Sequence, residues 1–532
     1  MQSNREESTP INSMNEITSS INAQGLRGQL EELISIVERA YREGEAVHEV
    51  EYKLFRQLMA MGRGALGLLF ELCAQADRGA CVERPEGGVL RRLEETHRRE
   101  YQSIFGAFEL VRVVYGSREG QKIEYVPFDE QLQLPQDKFS YLLQDWNQSL
   151  AVESTYKQVD VVLERILGFS QSVNSLERGN AKLSESVPAF WEQRAPAPAA
   201  QGEELVVATA DGKGVVMRKP NASADDEPQA QACKALECAT QGSGKTQKKG
   251  RKKMAVLGSA YTIAPYVRTP EEVLEALFHA RNARQQADDI GTRPTPLSKY
   301  IRASLRRDDA DTLKPAYAEI FGWLAQEVAH RSAERAVPTV LLMDGQKSLW
   351  EAAQAHLGSK SSIEILDLLH ANSYVWKAAK LLHPNTKSEA LIFFVKPRIG
   401  RILHGEVEGV VQGLRAMGTR RGLKGKRLKK LNKVCAYLRN NAHRMRYDKY
   451  LAAGYPIASG VIEGACRHVV KDRMERSGMR WTRSGAQSML ELRCIYINGD
   501  WEKYMRFHIE QETRRLYPWR AANDDNLTAQ VA

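Results

Sequence analysis

The sequence has no paired cysteines. Its seven, Cys73, Cys81, Cys233, Cys238, Cys435, Cys466 and Cys494, are odd in number and scattered without CxxC spacing. That excludes a disulfide framework or a zinc cluster as the organising principle and suits a reducing compartment. No apolar run reaches the roughly 18 residues needed to span a bilayer. No basic start leads into an apolar segment either, so neither a membrane span nor a signal peptide is expected, and the protein is read as soluble and cytoplasmic. Acids are missing from one long stretch: Arg415 to Arg446 holds twelve Lys and Arg and no Asp or Glu. A charge run can be a solvated face, but one this long and single-signed repels itself unless phosphates lie against it.

What is present is a chain of 532 residues, 42% apolar, with a net charge of +10 and a pI near 9.1. The length suggests two to four domains with real cores. The basic balance makes a polyanion, nucleic acid first, the natural partner.

Composition divides the chain. Residues 1–22 are polar and read as a disordered tail, and apolar residues at helical spacing from Leu26 to Leu72 predict N-terminal helices over 23–100. Residues 101–137 read as a small β element, with strands around a Gly116-Ser117 turn and a Pro-bounded loop after them. Residues 138–195 return to helix, where QVDVVLERILGF and SQSVNSLERGNAKL, the second capped by Ser170, read either as ordinary core helices or as a helix-turn-helix. After APAPAA, the run ELVVATADGKGVVMRKP carries a hairpin signal at Asp211-Gly212. A polar insert over about 221–253 precedes a strand at 254–263. Helical periodicity is read through 270–335, then strand TVLLMD, helix KSLWEAAQAHL, strand SIEILD and helix LLHANSYVWKAAKLL. A mixed α/β sheet is expected over 200–385, with helix everywhere beyond 386.

Within the insert, ATQGSGKT at 239–246 satisfies a relaxed P-loop pattern. Its flanks, ACKALEC and QKKGRKK, supply neither the strand before nor the helix after that phosphate binding requires, so nucleotide binding is not expected.

Three acids carry more weight. Asp211 and Asp344 each end a strand candidate and precede Gly, and Asp-Gly is also an ordinary turn dipeptide. If those strands are neighbours, two carboxylates meet, an arrangement that a core does not need but a divalent cation does. In YPIASGVIEGACRHVVKDRMERSGMRW, Ser459 is placed to cap a helix whose Val461, Ile462, Ala465 and Val469 form the apolar side, while Glu463, Arg467 and Lys471 follow at i, i+4, i+8 on another face.

The segments ADGKGV, KKMAVLGSAYTIAP, VLLMDGQKSLW, ILDLLHANSYVWKAA, SGVIEGACRHVVKDRMERSGMRW and LRCIYINGDWEKY resemble the transposases of the ISKra insertion-sequence family, relatives of the Mutator-like DDE enzymes. The resemblance runs from about residue 100 to 515. It implies a multidomain α/β protein whose ribonuclease-H-like catalytic core (mixed sheet flanked by helices) has a helical insertion and follows a mostly helical N-terminal DNA-binding region. The core would comprise 200–385 and the Glu-bearing helices of 456–515, the basic insertion 386–455, and a tail 516–532. By matching position the family's acids fall on Asp211, Asp344 and Glu463, as catalytic residues and ligands of two Mg²⁺ or Mn²⁺ ions. Its signature of Cys or Asp, two residues, then His falls on Asp367 and His370, supporting residues together with Arg467. RVVYGSREGQ departs from relatives that carry cysteine pairs there, so no zinc ribbon is expected.

The function implied is metal-dependent cleavage of double-stranded DNA at the ends of an insertion sequence and joining to target DNA, by a homo-oligomer in the nucleoid-associated bacterial cytoplasm and without a membrane. Backbone contacts are assigned to Arg420, Arg421, Lys424, Lys426, Arg427, Lys429, Lys430, Lys433 and Lys471. A non-catalytic DNA-binding descendant of a transposase and a nuclease without strand transfer remain the alternatives.

Overall fold

The computed structural model describes residues 23–73, 77–84, 87–118, 122–218, 252–278, 293–305, 315–334, 336–358 and 362–518. The terminal tail at 1–22, most of the polar insert and the P-loop-like segment fall outside them. The chain divides into two compact units, one of Met1–Leu150, Tyr156–Leu176 and Met505–Ala532, the other of Ala151–Thr155 and Glu177–Tyr504.

In the first unit the periodic stretch folds as helices Ala23–Glu43 and Val47–Cys73, packed on one another. Strands begin earlier than the sequence suggests: β1 (Cys81–Glu83), β2 (Val89–Arg92), β3 (His97–Ser103), β4 (Gly106–Arg112) and β5 (Tyr115–Gly116). The described residues of 81–100 are thus mainly extended rather than helical. Pairing with β4 and burial of Tyr101 beside Phe70, ring centroids 5.5 Å apart, override the charged stretch's local preference. The tight hairpin is not at Gly116-Ser117 but between Ser103 and Gly106, which face each other across the β3–β4 pair. Gly106 holds φ at 124°, a conformation glycine alone reaches readily. The expected loop after the strands contains a helix, Pro127–Leu132, opened by its proline.

The helix pair of 138–195 is present as Tyr156–Leu167 and Val173–Ser184. Its cap is Ser172 rather than Ser170, the Ser172 hydroxyl accepting the N–H of Ser175. The break is longer than expected because Gln171 is drawn inward, its N–H donating to Asp160 and its side-chain oxygen accepting from Asn147.

The second unit holds a five-stranded sheet. Its first member, β6 (Leu205–Val216), runs straight through Asp211-Gly212, and pairs antiparallel with β7 (Lys252–Ile263) from Leu205 opposite Ile263 to Val216 opposite Lys252. The expected hairpin is therefore absent, and Gly212 does not take a positive φ. Within 270–335 only Pro270–Phe278 and Pro315–Arg331 are helical among the described residues. Between them β8 (Leu297–Ser304) pairs antiparallel with β7, because the open edge of β7 offers Tyr300 and Ile301 a buried ladder. β9 (Thr339–Met343) and β10 (Ser362–Leu366) complete the order β10-β9-β6-β7-β8, and β6, β9 and β10 are parallel.

Both faces are covered, which is why TVLLM is apolar without alternation. Leu341 and Met343 join Ile320, Phe321 and Trp350 on one side. Val340 and Leu342 join Val375, Val395 and Val411 on the other. On the first face Gly258 admits helix Pro315–Arg331, since a Cβ there would lie 2.6 Å from Ile320. From Ser388 onward the described chain is helical in the main, through Ser388–Leu403, Val407–Arg420, Gly425–Asn440, Gly460–Ala465 and Arg483–Ile497. Among the described residues no helix is long and apolar enough to cross a membrane.

Candidate metal centre and basic surface

Strand register assembles the acids. β6 and β9 align Val206 with Thr339, Val207 with Val340 and Ala208 with Leu341; three residues further along each strand come Asp211 and Asp344. β9 and β10 align Met343 with Leu366, and the next residue on each is Asp344 and Asp367. Three parallel neighbours therefore carry three aspartates in one row, the last two just beyond the strands' carboxyl ends.

The row is electrostatically coupled. Burial pushes the Asp344 carboxyl above its usual range, and the charges of Asp211 and Asp367 add to the effect, while the Gln346 N–H, 2.9 Å from Asp344 Oδ1, opposes it. Asp211 accepts the N–H of Gly212 at 2.7 Å, and Cys466 Sγ stands 3.4 Å from its other oxygen. Asp367 is fully buried. Burial pushes its carboxyl up, but His370 and Ser459 together hold it below the usual value. Its Oδ1 caps helix Leu368–Leu382 by accepting Leu369 N–H at 2.6 Å and His370 N–H at 3.4 Å.

Glu463 comes from helix Gly460–Ala465. Loss of hydration, then the charges of Asp367 and Asp211, raise its carboxyl, with His370 opposing. His370 lies in the first turn of its helix; Asp367 beside it raises its pKa, burial opposes, and Asp344 and Asp211 raise it further. Its Nδ1 is buried without a hydrogen-bond partner, 3.9 Å from Asp367 Oδ2. Ligand atoms of Asp367, His370 and Glu463 lie within 4.8 Å of one another, a spacing that suits a divalent cation. An unpartnered imidazole nitrogen and carboxylates that resist ionising side by side are what a cation would satisfy.

Arg467 does not join this group. Cys466–Lys471 is a π-helix, so the i, i+4, i+8 face of Glu463, Arg467 and Lys471 is broken, and Arg467 turns to Asp472 at 3.6 Å in solvent. Ser459 does not cap its helix with its side chain; its N–H and hydroxyl both donate to Asp367 Oδ2. Lys471 is exposed.

The turn after Asp344 is held by groups the sequence did not single out. Gly345 N–H donates to Tyr437 Oη at 3.1 Å, and the Tyr437 ring stacks on Tyr374 with centroids 3.6 Å apart and planes within 2°. Trp350 Nε1 donates to the Asp344 carbonyl at 2.7 Å. Glycine after Asp344 could have hinted at a close neighbour, but nothing local names Tyr437, some ninety residues away.

Tyr437 belongs to helix Gly425–Asn440, which buries Leu431, Val434, Cys435 and Leu438 and exposes Lys426, Arg427, Lys429, Lys430 and Lys433. Arg420, Arg421 and Lys424 precede it, Arg420 and Arg421 exposed. Among the described residues no carboxylate pairs with Lys424, Lys426, Lys429, Lys430 or Lys433. Arg421 and Arg427 are committed to the carbonyls of Leu382 and Leu381, and Arg444 is buried against Glu364. No known family model and no curated protein sequence matches the chain.

Proposed function

We propose that the chain is a DDE transposase with a ribonuclease-H-like core, cutting DNA at the ends of an insertion sequence and joining the freed ends to a target. The observation that carries the reading is the row of Asp211, Asp344 and Asp367 across three parallel strands, with Glu463 and His370 beside it. A mixed sheet flanked by helices, with β6 antiparallel to β7 and parallel to β9, is consistent with the resemblance to ISKra transposases.

In this reading Asp211, Asp344 and Glu463 would hold Mg²⁺ or Mn²⁺, which when bound activates the attacking oxygen and stabilises the leaving one in displacement at phosphorus. The chain's own contribution is placement. Asp211 is held within the β6–β7 ladder opposite Leu257, Asp344 follows the last residue of β9, and the Tyr437 hydroxyl and Trp350 hold the turn after it. The lysines of Lys424–Lys433 supply backbone affinity without reading sequence.

The test is to incubate the protein and Mg²⁺ with labelled DNA from either side of its coding region and a target plasmid. Labelled plasmid supports strand transfer. Cleaved ends without joined product indicate a nuclease, and binding without cleavage indicates a non-catalytic descendant.

A further inference from the structure

We propose that Asp367 and Ser459 form a clamp that sets the position of Glu463, and that Asp367 is a positioning residue rather than a metal ligand. The part concerning metal rests on the reading above. An ionised carboxylate offers about four lone-pair sites. All four are taken here: Oδ1 accepts from Leu369 N and His370 N, and Oδ2 accepts from Ser459 N at 2.9 Å and from the Ser459 hydroxyl. Ligand-like spacing to His370 and Glu463 is therefore not matched by a free lone pair.

The same hydrogen bonds explain how a helix more than ninety residues further along the chain is brought to the acid row. Leu368 N–H donates to the Ile457 carbonyl at 2.9 Å, so residues 457–459 run alongside 367–368. Ser459 then opens the Glu463 helix with its carbonyl, accepting both Ile462 N–H and Glu463 N–H at 3.1 Å. Because its hydroxyl is committed to Asp367, the first turn of that helix is tied to the end of β10. Ser459 is 2% exposed and Asp367 0%, so water does not compete for these bonds.

Two measurements on the full-length protein test this. In hydrogen exchange, Ser459→Ala and Asp367→Asn should each speed exchange of the amides of residues 459–465 by roughly tenfold or more, the scale of a broken bond to a buried charge, while the sheet stays protected. Asn qualifies because its NH₂ would face the Ser459 N–H, donor against donor. Unchanged exchange in both variants overturns the clamp. In Mn²⁺ titration followed by electron paramagnetic resonance, Asp367→Asn should bind as many ions as wild type, more weakly, and Ser459→Ala should cleave more slowly even at saturating Mn²⁺. Loss of a whole ion in Asp367→Asn overturns the positioning role and makes Asp367 a ligand. A wild-type protein that binds no Mn²⁺ refutes the metal reading, and the exchange result still decides the clamp.

Discussion

Tyr437 accepts the backbone N–H of Gly345, at 3.1 Å, and so ties the basic helix Gly425–Asn440 to the residue that follows Asp344. A Cβ at position 345 would lie 2.6 Å from the Tyr437 hydroxyl oxygen. Gly345 does not take a positive φ, so glycine is required here for the approach of a ring and not for a turn.

Gly345→Ala should therefore push Tyr437 from its stack on Tyr374 and cost about 1–3 kcal/mol, as overpacking does. Urea unfolding of the two proteins measures this. Equal midpoints and slopes would show that the ring can move aside freely.

Replacing Asp344 with Asn should leave the fold intact and reduce strand cleavage by several orders of magnitude. Its effect on stability has a definite sign. The raised Asp344 pKa favours the native state only while the carboxyl is protonated; that contribution is present below the unfolded value, about 3.9, and is lost as pH rises through the higher folded value. Near neutral pH in chelator, well above the unfolded value, the raised pKa makes the carboxyl a cost to the native state. The Asn variant should then melt above wild type, the gap closing on acidification, and should gain less from added Mg²⁺. Wild-type cleavage by this variant refutes the assignment of Asp344.

The basic surface predicts a change in salt dependence. Changing Lys424, Lys426, Lys429 and Lys430 to Gln, while leaving Arg427 on its carbonyl, should weaken binding to all DNA sequences alike. Each phosphate no longer neutralised should flatten the slope of log affinity against log salt by about 0.9. A slope equal to wild type would place these side chains in water alone.

Helix Val173–Ser184 exposes Asn174 and Arg178 one turn apart while Leu176 and Leu183 are buried, the face a groove-reading helix would offer. In full-length protein, Arg178→Ala should narrow the preference for end DNA over random DNA by about 1–3 kcal/mol. Gel shifts at fixed salt compare the two. An unchanged preference would mean that the ends are read elsewhere.

Much of this was legible locally. The segments TVLLMD and SIEILD marked β9 and β10, helical spacing marked Val47–Cys73 and the helices beyond Ser388, and the acid after the apolar run of β9 marked Asp344, while Asp367 was legible only through the family resemblance. Errors fell where partners are remote. Ser170 looked like a cap until Gln171 was drawn to Asn147, and LSKYIRAS looked helical until it met the edge of β7. Asp211-Gly212 looked like a turn because that dipeptide turns more often than not, yet twelve paired residues of β7 hold it straight.

The sequence by itself determined which side chains are available: the acids, the histidine and a lysine-rich helix, each fixed by residue type and local period. Only the tertiary structure decided which of them meet. Register across β6, β9 and β10 aligned the aspartates, and a π-helix turned Arg467 away from Glu463. Asp367 took up Ser459 instead of an open coordination place. The β6–β9 pairing and the Asp367–Ser459 contact join segments ninety or more residues apart, whose geometry no local pattern encodes.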